Sequence, residues 1–220
     1  MFLGHYGAGL AAKKLTPYTS LGTLTVAVLW LDLLWPTLVL LGIERVRVDP
    51  GNTVVTPLAF EYYPWSHSLV MAVAWASLIG GVYAFFRRYP RGAWVVALAV
   101  VSHWVLDLVV HRPDLPLWPP DGPTVGLAVW NSLPGTLTLE LALFAAGLWV
   151  YSRNTEPTDA IGRHALTAFA LTLLLIYAAN LMAPPPPHAI TVAWAGQAQW
   201  LLVVWTMWID RHRVAIRQWR

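Results

Sequence analysis

Long apolar runs alternate along this chain with short polar or proline-rich breaks. The first run is brief: residues 1–12 carry no charge unless His5 is protonated, and Lys13-Lys14 and Pro17 close it. At about 1.5 Å per residue, such a helix reaches half-way across a bilayer. Full-length runs follow at 19–42, 64–86, 91–111, 133–152, 160–182 and 189–209. Each holds the roughly 20 helical residues that a hydrocarbon core about 30 Å thick requires. Pro36 lies inside the first full run, where it removes a backbone bond and favours a kink. The loop at 43–63 is turn-rich, with Asp49-Pro50-Gly51-Asn52, the loop at 112–132 is Pro-rich, and Pro184 to Pro187 form a stiff connector. The pattern predicts an all-α polytopic membrane bundle of six transmembrane helices plus an N-terminal half-span helix. It shows no internal repeat, so residues 1–220 read as one domain.

Composition agrees with that pattern. Hydrophobic residues make up 57% of the chain and charged residues 11%, where a soluble domain carries about 25% charged. The absence of Cys excludes disulfides and thiolate zinc sites, and leaves imidazole, carboxylate and water as metal ligands. A net charge of +3 would suit nucleic acid, but the basic residues sit at the ends of apolar runs instead of in one patch, so no nucleic-acid partner is expected. Lys13 and Lys14 follow the first apolar run, whereas a secretory signal places its charges before it. Eleven Lys and Arg fall on one set of connections and only Arg45, Arg47 and Arg112 on the other. The positive-inside rule then puts both termini in the cytoplasm and the protein in the cell (inner) membrane. Tyr62, Tyr63, Trp65, Trp118 and Trp130 fall at the outer interface on that reading.

The polar residues inside the runs carry the candidate chemistry. His103, Asp107 and His111 are spaced four apart, which stacks them on one face of a helix. Measured inward from the outer helix ends, His67 lies roughly 5 Å deep, Asp107 roughly 6 Å, Glu140 and His103 roughly 10–12 Å and Asp32 roughly 15 Å. Four helices thus bring ligand-type side chains to one layer. If Pro17 folds residues 1–13 back antiparallel to the first span, His5 joins that layer near midplane. His5, Asp32, His67, His103, Asp107 and His111 are the candidate metal ligands, although His111, beside Arg112, reads equally as an interfacial residue. Glu140 reads as a general base, a ligand or a packing acceptor, and Asp32 is a second candidate for catalysis. His164, His188 and His212 lie at membrane edges as solvated groups. Two other readings compete: a non-catalytic subunit whose polar residues bond helices together, and a small transporter. The second predicts polar groups continuing to the cytoplasmic side, but the inner halves of spans two, three and four are almost wholly apolar.

His5 in its Gly-rich helix, Asp32, Tyr63-Pro64-Trp65-Ser66-His67-Ser68-Leu69, and Ser102-His103 through Asp107 to Leu115-Pro116-Leu117-Trp118-Pro119 resemble a known family. It is that of the YdjM-like membrane-bound metal-dependent hydrolases, the LexA-regulated inner-membrane type. Its pattern is an early His, Pro-Asp-x-Asp-His, His-Arg-Gly-x-Thr-His-Ser-Leu, and His-x-x-x-Asp followed by Leu-Trp-Pro. At motif level the family is similar to zinc-dependent phospholipase C and P1 nuclease. The resemblance covers about residues 1–120. This chain has Leu31-Asp32-Leu33-Leu34-Trp35 and Tyr62-Tyr63-Pro64-Trp65-Ser66-His67 where the family has more ligands, so a thinner metal set is expected. The resemblance implies a divalent metal, zinc, and hydrolysis; the depth of the polar layer is what points to a phosphoester or other ester at the outer interface. The expected partners are membrane lipids and a lipid or lipid-linked substrate. The sequence leaves a homo-oligomer or a membrane complex open.

Overall fold

The chain turns back on itself almost at once. In the computed structural model, which describes residues 1–216, helix α1 (Leu3–Leu15) and helix α2 (Leu21–Leu40) form an antiparallel hairpin. Pro17 cannot continue α1, Thr19 N–H donates to the Thr16 carbonyl across the turn, and the Ser20 hydroxyl caps α2 by accepting from Thr23 N–H. The Lys13 ammonium donates to the Thr19 carbonyl at 2.8 Å and pairs with Asp210 at 2.9 Å.

α1 runs through the middle of the bundle, against α2, α5, α6 and α7. Glycine makes that possible. A methyl group at Gly7 would strike the Leu143 carbonyl and the Phe144 backbone, and one at Gly147 would strike the backbone of Gly7, so α1 and α6 cross with their main chains in contact. Small residues let helices approach this closely in a membrane.

The remaining long helices are α4 (Leu69–Arg87), α5 (Pro90–Val110), α6 (Leu133–Asn154) and α7 (Ala160–Met182). With α2 they make five helices long and apolar enough to cross a membrane, and the protein is a multi-pass membrane protein. Their outward faces are apolar too: Leu78, Phe85, Trp94, Leu98, Leu171 and Leu175 are all exposed. A helix apolar on all sides suits a lipid surround.

Three expectations are corrected. The sixth run folds as two consecutive helices, α8 (Ala189–Gln197) and α9 (Gln199–Arg211), instead of one. Their junction lies where α2 presses in: a methyl at Gly196 would meet the Pro36 ring, and Gln197 donates to Thr37. The second span starts later than residue 64, because Pro64–His67 forms a separate one-turn helix α3 and Ser68, extended at ψ 152°, caps α4. The connections are not wholly irregular either, and the fold is mostly helical with three small antiparallel ladders. β1 (Arg45–Val48) pairs with β2 (Leu58–Tyr62), β3 (Leu115–Pro116) with β4 (Thr124–Val125), and β5 (Thr155–Pro157) with β6 (Arg213–Ala215). Alternating Arg-Val-Arg-Val suits a half-buried strand, and in the turn that follows Gly51 takes a φ of 93°, which a side chain would resist.

The two ends of the bundle differ in charge. The β5–β6 ladder, the Lys13–Asp210 pair and the Thr19–Tyr83 hydrogen bond tie one end together. Nine of the counted basic residues, from Lys13 to Arg213, fall on this end, while Arg217 and Arg220 lie outside the described residues. The other end holds β1–β2, α3 and β3–β4. It is joined by Val55 N–H to the Trp130 carbonyl and Val70 N–H to the Leu117 carbonyl.

Candidate metal centre

Four elements meet in the half of the bundle away from the basic end. α5 supplies His103 and Asp107 one turn apart, with His103 Nε2 3.0 Å from Asp107 Oδ2. α2 supplies Asp32 and, one turn earlier, the Val28 carbonyl. α3 supplies His67. α1 supplies His5, whose ring stacks on that of His103 with centroids 3.7 Å apart and planes 7° from parallel. His5 Nε2 lies 3.1 Å from Asp107 Oδ1, and the Met1 amino group lies 2.6 Å from the same oxygen.

The hydrogen bonds at the far side of each ring set its tautomer. The Val28 carbonyl can only accept, so His103 Nδ1 carries the proton that reaches it at 2.7 Å. In the neutral ring His103 Nε2 is then a bare lone pair, fully buried and without a hydrogen-bond partner among the described residues. At His67, Nδ1 lies 2.7 Å from Ser66 Oγ, while that hydroxyl donates to the Glu44 carboxylate at 2.7 Å. A serine has one proton to give, so Nδ1 must donate, and Nε2 of His67 is bare as well. These two lone pairs face carboxylate oxygens. Asp32 Oδ1 stands 3.5 Å from His67 Nε2 and 3.8 Å from His103 Nε2, and Asp107 Oδ2 stands 3.9 Å from His67 Nε2.

Lone pairs converging on acceptor-only oxygens repel unless a proton or a metal ion sits between them. A tetrahedral zinc with bonds of about 2.0–2.1 Å needs ligand atoms about 3.3–3.4 Å apart. The four imidazole–carboxylate separations, 3.0 to 3.9 Å, bracket that value. Two overlapping groups, His5/His103/Asp107 and Asp32/His67/His103, each hold their ligand atoms within 4.8 Å of one another. Both can hold a metal ion, and both need His103. Asp32 is the open edge, with its side chain 26% exposed against 0–5% for the other four.

Two of the candidates lie elsewhere. The Glu140 carboxylate receives Phe2 N–H on both oxygens, at 3.1 and 3.0 Å, and Gly4 N–H at 3.1 Å. The first N–H groups of a helix have no partner within it, and α1 begins inside the apolar bundle, with Leu3 and Gly4 buried. Glu140 supplies the acceptor there, and of its three readings the geometry matches the packing one. His111, the residue that ends α5, turns into the loops at this end of the bundle. Its Nδ1 lies 2.9 Å from Asp114 Oδ1 and 3.3 Å from Tyr63 Oη, and its ring lies against Trp130. Helical spacing put it in line with Asp107, but the backbone leaves the helix at His111, at ψ 144°.

Glu44 is the residue that the sequence reading passed over. It follows the end of α2, is 1% exposed, and accepts Trp65 N–H and Ser66 N–H at 2.9 and 2.8 Å besides the Ser66 hydroxyl. Burial pushes its carboxyl up to about 6, with the Ser66 and Trp65 hydrogen bonds opposing the rise. Nothing in its spacing from His67 marks it, since the two meet only through tertiary packing.

Compared with protein-family models, with curated proteins and with solved structures, the chain matches none.

Proposed function

We propose that this protein is a membrane-embedded, metal-dependent hydrolase with one divalent ion, zinc, held by His67, His103 and Asp107, with Asp32 beside the position left open for water. The observation that carries the reading is the pair of bare Nε2 atoms aimed at two carboxylates. One ion is proposed because both groups use the same Nε2 of His103, which has a single lone pair to give. When bound, zinc acts as a Lewis acid and lowers the pKa of its water toward 7. His5 bonds to the Asp107 oxygen turned away from His103 and so orients that carboxylate, as outer partners of metal ligands do. Asp32, at the open edge, is the proton acceptor where water and substrate arrive. Glu140 is left out of the chemistry because its lone pairs are already engaged.

A cavity of about 290 Å³ opens between the outer loops, lined by residues that include Tyr63, Pro64 and Asp114. The Tyr63 ring separates it from His67, 5.4 Å away. On the positive-inside orientation this end is extracytoplasmic, which supports a lipid or lipid-linked ester as substrate. The resemblance to YdjM-like hydrolases agrees with this reading.

Elemental analysis of detergent-purified protein, followed by phosphodiester and lipid-headgroup esters offered with and without EDTA, tests it. The expected result is one zinc per chain and hydrolysis that EDTA abolishes and zinc restores. Zinc bound without turnover of any ester in the panel would reduce the reading to a structural metal site. Absence of metal at neutral pH, even after dialysis against zinc, would overturn it.

A further inference from the structure

We infer that Glu44 is a positioning residue of the metal centre, acting through Ser66 Oγ to keep His67 protonated on Nδ1 and bare on Nε2. The inference rests on the metal reading above and adds to it a residue 23 positions from the ligand it controls. The chain of donors has one direction. The Glu44 carboxylate takes the Ser66 hydroxyl proton at Oε2, Ser66 Oγ then has only lone pairs for His67, and the imidazole must donate. The other carboxylate oxygen accepts Trp65 N–H and Ser66 N–H, which fixes the one-turn helix α3 that carries His67. Orientation and tautomer of the ligand thus depend on the same buried acid.

The alternative role for Glu44 is only to cap α3. The two roles separate on the conservative variant Glu44→Gln. Its amide oxygen still accepts from Trp65 and Ser66, so a cap survives. Its NH₂ group, however, must donate to Ser66 Oγ, and the serine proton then goes to His67 Nδ1 at 2.7 Å in preference to the Tyr63 carbonyl at 3.4 Å. The tautomer reverses, and Nε2 carries the hydrogen and cannot ligate. Ser66→Ala removes the relay without reversing it, and Ser66→Thr keeps the hydroxyl.

Two measurements are made on the full-length protein in detergent: zinc affinity by chelator competition, and the histidine tautomer by long-range ¹H–¹⁵N spectra of metal-free, histidine-labelled protein. His67 is assigned from the signals lost in His67→Ala. Loss of an outer partner of a metal ligand costs about 10–100-fold in affinity. Glu44→Gln should fall at the upper end of that range, Ser66→Ala at the lower end, and Ser66→Thr should bind zinc as the native protein does. In the metal-free protein His67 should read as the Nδ1–H form, and in Glu44→Gln as the Nε2–H form. An unchanged tautomer in Glu44→Gln overturns the inference, as does native zinc affinity in both Glu44→Gln and Ser66→Ala. If Glu44→Gln does not fold, Ser66→Ala decides by affinity. If the native protein binds no zinc, the metal reading fails and the tautomer measurement still decides the role of Glu44.

Discussion

Asp107 and Glu140 are carboxylates on different helices, both almost fully buried, and both reach the start of α1. Both accept an N–H there, Asp107 Oδ1 from the Met1 amino group, and they differ at the other Asp107 oxygen. Glu140 is met by backbone N–H groups on both oxygens, so its charge is satisfied by donors that the fold itself would otherwise leave unpaired. Asp107 Oδ2 is met by imidazole nitrogens that have already spent their protons on Val28 and Ser66. Depth in the membrane is the same signal for both residues. What separates a helix cap from a ligand is the count of protons available to it.

The sharpest way to break the comparison is at His103, whose Nε2 belongs to both groups of candidate ligands. His103→Ala should weaken zinc binding by more than about 100-fold, beyond the cost of losing an outer partner. It should also abolish the stabilisation by excess zinc, which for the native protein is about 4 kcal/mol at a thousand times Kd. Chelator competition and thermal unfolding in detergent measure both. His111→Ala, in line with His103 on paper but bonded to Asp114 in the fold, should leave zinc affinity unchanged. If His111→Ala strips the metal and His103→Ala does not, the centre has been drawn on the wrong residues.

Glu140→Ala comes next in size. It strands the N–H groups of Phe2 and Gly4 inside the bundle, and hydrogen bonds to a charged group contribute about 1.5–3 kcal/mol each. A stability loss of about 3 kcal/mol is expected, with zinc still bound at the native ratio. Thermal unfolding and elemental analysis of the same sample test this together. Loss of zinc from a folded Glu140→Ala would make Glu140 part of the centre after all.

These residues show how far the sequence could be read. The five long spans were legible because each is a continuous apolar run, and the Lys13-Lys14-Pro17 break foretold the hairpin that carries His5 inward. His103 and Asp107 were legible from helical spacing alone. Glu140 was seen but its three readings could not be told apart, because that depends on where α1 begins in space. The two readings of His111 could not be separated, because helical spacing holds only to the end of the helix and the backbone leaves it there. Glu44 gave no signal, since a carboxylate after an apolar run reads as a solvated loop residue. The sixth run looked continuous because its break lies against Pro36 on another helix, a contact that only the fold creates.

The smallest effect expected sharpens the comparison from the side of Glu44, a third buried carboxyl. Glu140 and Asp107 lie inside the bundle, whereas Glu44 sits in the connection after α2 and is raised by burial from 4.5 to about 6. A carboxyl whose folded-state pKa lies above its unfolded value holds its proton more tightly when folded. Its contribution to stability is therefore fully present below about pH 4.5 and is lost as the pH rises through about 6. A shift of this size corresponds to about 2 kcal/mol. Glu44→Gln cannot titrate, and every other ionisable group is common to both proteins. The difference in unfolding free energy between native and Glu44→Gln, measured without metal, should thus move against the native protein by about 2 kcal/mol between pH 4.5 and pH 7. A flat difference across that range would mean that Glu44 titrates as an ordinary surface acid. A falling difference means that at neutral pH the fold keeps a carboxylate charged at a cost to its own stability. A cap alone does not call for that charge, because an amide oxygen accepts the same two N–H groups, whereas turning the serine proton away from His67 does.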